Sequence, residues 1–154
     1  MKIKKRFLSL FLALTMLTTM VPASVISASA VFTGALQFDT SGKFTVMQIT
    51  DIQTGASVNT RIVTMIRNAI SRYHPDLVVF TGDNIAGKIS SANFQSAVNT
   101  FTQPLIDTNT KFAVTFGNHD AESSIFGVNA GSKDSQYNYF MSRGGSLAID
   151  HDVD

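Results

Sequence analysis

The sequence predicts an α/β fold built on a mostly parallel sheet. Between residues 44 and 116, segments with strand character alternate with segments with helical periodicity, in the order strand, helix, strand, helix, strand. The middle strand, residues 77–80, is a short and continuously apolar run, which is typical of a strand covered on both faces of a parallel sheet. This alternation implies right-handed crossovers between neighbouring strands.

The strands are predicted from three apolar, β-prone runs. Residues 35–38 and 44–49 flank the turn-prone sequence Asp-Thr-Ser-Gly at 39–42, and this predicts a hairpin that leads into the first buried strand. Residues 77–80 form the second strand and residues 111–116 the third. Each of the three strands is followed directly by a polar segment.

The two helices between these strands are predicted from apolar residues at helical spacing. Residues 58–73 form the first helix, with Ser57 or Asn59 as its cap and Pro75 preventing its continuation. The apolar positions of the second helix run from Phe94 to Leu105.

The ends of the second helix follow from its flanking residues. Ser90 or Ser91 can cap its start, and Pro104 is expected to kink or end it because proline lacks a backbone N–H. Residues 121–136 are predicted as a long surface loop, 137–141 as a short helix and 147–149 as the start of a strand.

The first thirty residues have the pattern of a secretory signal peptide. A basic start is followed by a largely apolar stretch and by Ala28-Ser29-Ala30, a small-residue processing signal. A membrane anchor is the alternative, but the apolar stretch is interrupted by threonines and by Pro22 and is short for a bilayer span. We therefore expect an exported protein with cleavage before Val31 and no membrane segment afterwards. Residues 31–154 would then be one partial domain, truncated at its carboxyl end.

Composition excludes several classes of function. The leader carries four of the twelve basic residues, so residues 31–154 retain eight basic and eleven acidic residues, a net charge of −3. No basic surface for nucleic acid is therefore expected. The chain has no cysteine, which excludes disulfides, lipid attachment through cysteine and thiolate metal sites. Any metal ligand must be an oxygen or an imidazole.

The polar segments after the strands are the main evidence for function. Asp51 follows the first strand, Asp83 the second, and Asn118 and His119 the third. Carboxyl ends of parallel strands meet at one edge of a sheet, so these residues are expected to cluster there. Carboxylate and amide oxygens bind hard cations, and an imidazole can protonate a leaving group. The pattern predicts a hydrolytic metal site.

Each of these residues, taken alone, is equally compatible with an ordinary structural role. Asp51 can cap the following turn, Asp83 can belong to a strand-to-loop turn, and Asn118 can occupy a left-handed turn position. Three independent turns would then have to reproduce one ordered constellation, and this favours the metal site. For His74 a cap or an exposed position is the simpler interpretation, and for His151 a solvated loop.

The three segments Asp-x-Gln, Gly-Asp and Gly-Asn-His-Asp, each after a strand, resemble those of the calcineurin-like metallophosphoesterases. Residues 44–53 are most similar to the purple-acid-phosphatase-related branch, which includes secreted bacterial phosphohydrolases. The resemblance covers residues 36–120 and implies the amino-terminal half of a four-layer α/β/β/α sandwich. It also implies a secreted phosphoesterase that acts on a phosphomonoester or phosphodiester through a metal-activated hydroxide.

Carried over by position, the resemblance implies a centre of two divalent or mixed-valence ions, Mn, Zn, Fe or Mg. Asp51 would bind the first ion, Asp83 would bridge both, Asn118 would bind the second, and His119 would be the general acid. Gln53 stands where the family usually has a metal-binding histidine, and an amide is the poorer ligand.

Two further departures from the family pattern concern the remaining metal ligands. Ala86 occupies the position where the purple acid phosphatases have a tyrosine ligand, and no Gly-His-x-His segment follows within the sequence. Because Gln53 stands in the place of the expected histidine, a metal-poor pseudoenzyme that serves as an extracellular or envelope binding module is the second hypothesis. A serine hydrolase is disfavoured because no Gly-x-Ser-x-Gly segment occurs, and no glycine-rich nucleotide loop is found.

Overall fold

Three strands form one parallel sheet in the computed structural model, which describes residues 35–144. Strand β1 spans Val46–Ile49, β2 spans Leu77–Thr81 and β3 spans Lys111–Thr115, in the spatial order β1-β2-β3. In the register of the sheet, Val46 lies opposite Leu77, and Leu77 lies opposite Lys111. The predicted α/β class, the parallel sheet and the strand-helix alternation are confirmed.

Helix α1 spans Thr60–Tyr73 and connects β1 to β2. The side chain of Asn59 caps its first turn by accepting the N–H of Arg61, so the helix begins two residues later than predicted. His74 ends it in a left-handed conformation, with φ 45° and ψ 57°, and donates its N–H to the carbonyl of Ile70. The capping interpretation of His74 is confirmed.

Helix α2 spans Ser91–Asp107 and connects β2 to β3. Of the two predicted capping residues, Ser90 is the one whose side chain accepts a helix N–H, that of Asn93. The helix does not end at Pro104 but continues to Asp107. Proline removes one helical donor there, and its ring is buried in the core, so packing outweighs the lost hydrogen bond.

The helices pack against one face of the sheet. Val78, Phe80, Phe112 and Val114 share that face by register and are buried. The ring of Phe80 contacts the ring of Phe101 in α2 at a centroid distance of 5.3 Å and the ring of Phe112 at 5.9 Å. On the opposite face of β2, residues 77 and 79 stay half-buried. The prediction that this strand is covered on both faces is thus wrong for residues 35–144, because both crossover helices lie on one side.

The predicted hairpin before β1 is wrong, although its turn is present. Residues 35–38 form no strand, and β1 begins only at Val46. The carboxylate of Asp39 accepts the N–H groups of Ser41 and Lys43 and closes a local turn, in which the N–H of Gly42 donates to the Asp39 carbonyl. This turn satisfies its own backbone groups and pairs with no neighbouring strand.

The predicted loop at 121–136 is too long. A short 3₁₀ turn spans His119–Ala121, and helix α3 spans Lys133–Met141, four residues earlier than predicted. Ser132 caps α3 by accepting the N–H of Ser135. The buried side chain of Gln136 ties the first turn down by donating to the carbonyl of Asp120 at 2.6 Å.

Three sequence predictions lie outside the described residues. They are the signal peptide at 1–30, the strand at 147–149 and the interpretation of His151. Between residues 35 and 144 no helix has the length and apolar character that crossing a bilayer would require.

Candidate metal centre

Backbone hydrogen bonds bring the three polar segments side by side at the carboxyl edge of the sheet. The N–H of Asp51 donates to the carbonyl of Gly82 at 3.2 Å, and the N–H of Gln53 donates to the carbonyl of Asp83 at 2.9 Å. On the other side, the N–H of His119 donates to Oδ1 of Asp83 at 2.9 Å. The segment that carries Asp83 therefore lies in the middle, with the other two in direct contact with it.

The backbone at this edge is strained. Asp51, Gln53 and Asp83 have φ angles of 55°, 40° and 50°. These angles lie in the left-handed region, which residues other than glycine rarely adopt. Three of the five such residues found between positions 35 and 144 thus fall among the predicted ligands. Strain of this kind persists only where the surrounding structure enforces it, and such sites are often functional.

Asn118 does not occupy a left-handed turn, which was one of the structural alternatives. Its φ is −76° and its ψ is −29°, an ordinary right-handed conformation, and its side chain makes no capping hydrogen bond to the 3₁₀ turn that it precedes. The amide therefore has no role in closing that turn.

Two glycines allow the second and third segments to approach so closely. Gly82 has a φ of 110°, and a Cβ placed there would lie 2.7 Å from the backbone nitrogen of Gly117. A Cβ at Gly117 would in turn overlap the carboxylate of Asp83. The glycines of the Gly-Asp and Gly-Asn segments are thus required by the contact between the two loops.

Asp120 holds these loops together, a role that the sequence did not reveal. Its side chain is fully buried and accepts four backbone N–H groups. Oδ1 lies 2.8 Å from the nitrogen of Asn84 and 3.1 Å from that of Ile85, while Oδ2 lies 2.9 Å from the nitrogen of Asp83 and 2.7 Å from that of Gly117. Burial raises the pKa of the Asp120 carboxyl, and the N–H donors oppose that shift by stabilising the charged form.

The side chains of His119, Glu122 and Lys88 form a row of polar contacts at the surface, which the sequence did not predict. Nδ1 of His119 lies 2.9 Å from Oε1 of Glu122, and Oε2 of Glu122 lies 3.2 Å from Nζ of Lys88. The hydrogen bond that Nδ1 of His119 donates to Glu122 raises the pKa of His119 above its usual value. The spacing of three residues between His119 and Glu122 was visible in the sequence, but no regular helix was predicted there.

The donor groups are accessible and fit a hard cation. Asp51, Gln53 and Asn118 are exposed, and Asp83 is half-buried. Within the described residues, no cluster of three or more acidic, histidine or cysteine side chains could hold a metal ion, so the candidate set is two carboxylates supplemented by amide oxygens. Such oxygen donors suit Mn²⁺ or Mg²⁺, which retain water in their coordination shells. His74 does not belong to this set, since it precedes β2 at the opposite edge of the sheet.

Comparison with known proteins decides the family. The sequence pattern of the calcineurin-like phosphoesterases matches residues 44–152. The chain belongs to the calcineurin-like phosphoesterase family. Its three-stranded parallel sheet with interleaved helices is consistent with the amino-terminal half of that fold, and members of the family typically bind divalent metal ions.

The relatives include proteins named as purple acid phosphatases, and the chain spans less than a third of the length of each relative described here. Probable inactive purple acid phosphatase 14 of Arabidopsis thaliana is 24% identical over 73% of this chain and 31% of its own length. Probable inactive purple acid phosphatase 28 of the same plant is 29% identical over 58% of this chain and 26% of its own length. Phosphatase DCR2 of Saccharomyces cerevisiae is 29% identical over 60% of this chain and 19% of its own length. No solved structure matches.

Replacing Asp120 by asparagine is expected to lower the free energy of unfolding by about 2–4 kcal/mol, because a buried NH₂ group would then face backbone N–H donors. Urea unfolding followed by circular dichroism measures the change. Asp39→Asn is the matched control, since Asp39 also accepts backbone N–H groups but in an exposed turn where water can replace them. Equal losses in the two variants would contradict the role assigned to Asp120.

The His119–Glu122 pair is expected to make stability depend on pH in a defined window. The pKa of His119 is raised above 6.5, so its contribution is complete below that pH and is lost as pH rises through the folded pKa. The pKa of Glu122 is lowered below 4.5, mainly by its hydrogen bond with His119, so its contribution is lost as pH falls through the folded pKa.

The variant Glu122→Gln tests this window by urea unfolding across pH. Its deficit in unfolding free energy should be largest between about pH 4.5 and 6.5 and should shrink toward about pH 8. For Lys88→Met, the deficit should persist to about pH 8 because lysine stays charged there. A Glu122→Gln deficit that does not change with pH would rule out the coupling.

Proposed function

We propose that the chain is part of an exported, metal-dependent phosphoesterase that hydrolyses a phosphomonoester or a phosphodiester. Family membership supports the class of reaction. The main support for the proposal is the hydrogen bond from the backbone N–H of His119 to Oδ1 of Asp83, because it joins the proposed metal-binding carboxylate to the residue whose imidazole is suited to proton transfer. The proposed export is inferred from the signal-peptide pattern of residues 1–30. Amino-terminal sequencing of the secreted protein should give Val31 as the first residue, and a protein that retains residues 1–30 would argue against export.

The metal ligands are proposed from the donor groups at the sheet edge. Asp51, Asp83 and Asn118 would hold the ions, and Asp83 would be shared between them because its segment is central. Gln53 would contribute at most a weak amide oxygen. Bound metal ions supply Lewis-acid activation of water and neutralise charge on phosphoryl oxygens. Removal of Asp83 is expected to be the most damaging single change.

His119 is proposed to transfer the proton. As the bond between phosphorus and the leaving oxygen breaks, that oxygen keeps the electron pair and accepts a proton from the imidazolium. Water provides the new oxygen on phosphorus and loses one proton to solvent, from which His119 is protonated again. The products are an alcohol and a phosphate, or a phosphomonoester if the substrate is a diester. Partial exposure of His119 leaves its ring open to a small substrate.

A second candidate function is a metal-poor binding module. Two observations favour it. Gln53 stands where the resemblance to the family implies a histidine ligand, and two of the relatives described above are named as probable inactive phosphatases. Metal analysis separates the two candidates. About two tightly held ions per protein would support the enzyme, and none would support the module.

Hydrolysis assays with a generic phosphomonoester and phosphodiester, with Mn²⁺, Zn²⁺ or Fe²⁺ added, test the enzyme directly. His119→Ala should reduce kcat by at least about 100-fold, the usual contribution of a general acid. His74→Asn is the matched control, because His74 is an exposed histidine at the other edge of the sheet and asparagine tolerates its left-handed backbone. Turnover by the full-length protein should be compared, with each metal ion in turn, with turnover by the same protein carrying both Asp83→Asn and His119→Ala. Equal turnover in the two would reject the proposal.

A further inference from the structure

One carboxylate, that of Glu122, contacts both His119 and Lys88. Oε1 lies 2.9 Å from Nδ1 of His119, and Oε2 lies 3.2 Å from Nζ of Lys88. The side chain of Glu122 is 32% exposed, whereas that of Lys88 is 59% exposed. The two oxygens of one carboxylate are thus divided between an imidazole and an ammonium group.

We propose that Glu122 is a positioning residue for His119. Its carboxylate fixes the imidazole so that Nδ1 donates to Oε1 and Nε2 is the nitrogen left to face substrate. The catalytic meaning of this arrangement rests on the proposed phosphoesterase function. The arrangement itself is a property of the free protein and is open to measurement without turnover.

The backbone of His119 is already anchored, so the ring is the part that needs a further constraint. Its N–H donates to the Asp83 carboxylate, and its carbonyl accepts the N–H groups of Gly87 at 2.9 Å and of Glu122 at 3.1 Å. These contacts fix the Cα position and leave the side-chain torsions free. The hydrogen bond from Nδ1 to Glu122 removes that freedom.

The local helix geometry explains why Glu122 can reach the ring. His119 begins the 3₁₀ turn His119–Ala121, and Glu122 is its C-terminal cap. In a 3₁₀ helix, side chains three residues apart lie directly above one another. Glu122 therefore lies on the same side as His119. In an α-helix, side chains three residues apart would be less closely aligned.

Lys88 orients the carboxylate in turn. The segment before it is pressed against the 3₁₀ turn, since a Cβ at Gly87 would lie 2.6 Å from the nitrogen of Glu122. With Oε2 directed at Lys88, Oε1 is directed at His119. A neutral imidazole has one N–H and one bare nitrogen, and the tautomer is set by the hydrogen bond that one of them makes. An acceptor at Nδ1 selects the form with the proton on Nδ1.

Nitrogen-15 NMR of the full chain tests the proposal, because the two ring nitrogens of each tautomer have distinct chemical shifts. The chain has three histidines, so the His74→Asn and His151→Asn variants assign the His119 signals by elimination. At a pH where the ring is neutral, we expect His119 to carry its proton on Nδ1. Glu122→Ala should shift the population toward the Nε2–H form, and Glu122→Gln, with one acceptor oxygen left, should lie between the two.

Lys88→Met is the matched control, since it removes the outer contact of Glu122 and leaves the hydrogen bond to His119 available. Its His119 should remain mainly in the Nδ1–H form. Backbone amide spectra establish that each variant is folded. The same tautomer population in the wild type and in Glu122→Ala, or a wild-type ring with its proton on Nε2, would overturn the proposal.

A kinetic readout separates this inference from the proposed function. Glu122→Ala should lower kcat by about 10–100-fold, the usual effect of a residue that orients a site group, with KM little changed. A tautomer shift in a protein without turnover would reject the phosphoesterase and leave the positioning role intact. If the wild type turns over substrate and Glu122→Ala changes neither the tautomer population nor kcat, the positioning role is rejected and the phosphoesterase function is not.

Discussion

The buried carboxylate of Asp120 is the interaction on which the rest of the candidate site depends. It accepts N–H groups from the loop after β2, at residues 83–85, and from the loop after β3, at Gly117. Those loops carry Asp83, Asn118 and His119. Because a buried charge is tolerated only when its hydrogen bonds are satisfied, the carboxylate forces both loops to turn toward it. The contact between the carboxylate of Asp83 and the backbone N–H of His119 follows from that requirement.

Most of the fold was predictable from the sequence because its determinants are local. Apolar periodicity located α1 and α2, Asn59 and Ser90 were among the expected caps, and Pro75 follows the end of α1. The early start of α3 was not predictable, since Gln136 is held by a tertiary contact with Asp120. The strand predicted at residues 35–38 does not form, and here the cause is local and not tertiary. Asp39 closes a strictly local turn that mimics a hairpin signal.

The candidate site was predictable only in its outline. The order of strands in a parallel sheet was enough to predict that residues 51, 83 and 118 follow neighbouring strands. It could not reveal that Asp120 is buried, that Glu122 orients His119, or that Lys88 reaches Glu122, because each depends on how loops pack. The strained backbone at Asp51, Gln53 and Asp83 was equally hidden. Strained ligand residues and a poor amide ligand at Gln53 are equally compatible with an active phosphoesterase and with a pseudoenzyme that has lost its metal ions. Cation binding is therefore the property that separates the two proposed functions.

Titration of the isotopically labelled protein with Mn²⁺ shows whether these residues share a cation site, because this paramagnetic ion broadens the NMR signals of nearby amides. We expect the amide signals of residues 51, 83, 118 and 119 to broaden together at a saturable site, and Asp83→Asn to abolish the effect. Broadening centred elsewhere on the chain, or an unchanged response in Asp83→Asn, would contradict a shared cation site at the carboxyl edge of the sheet.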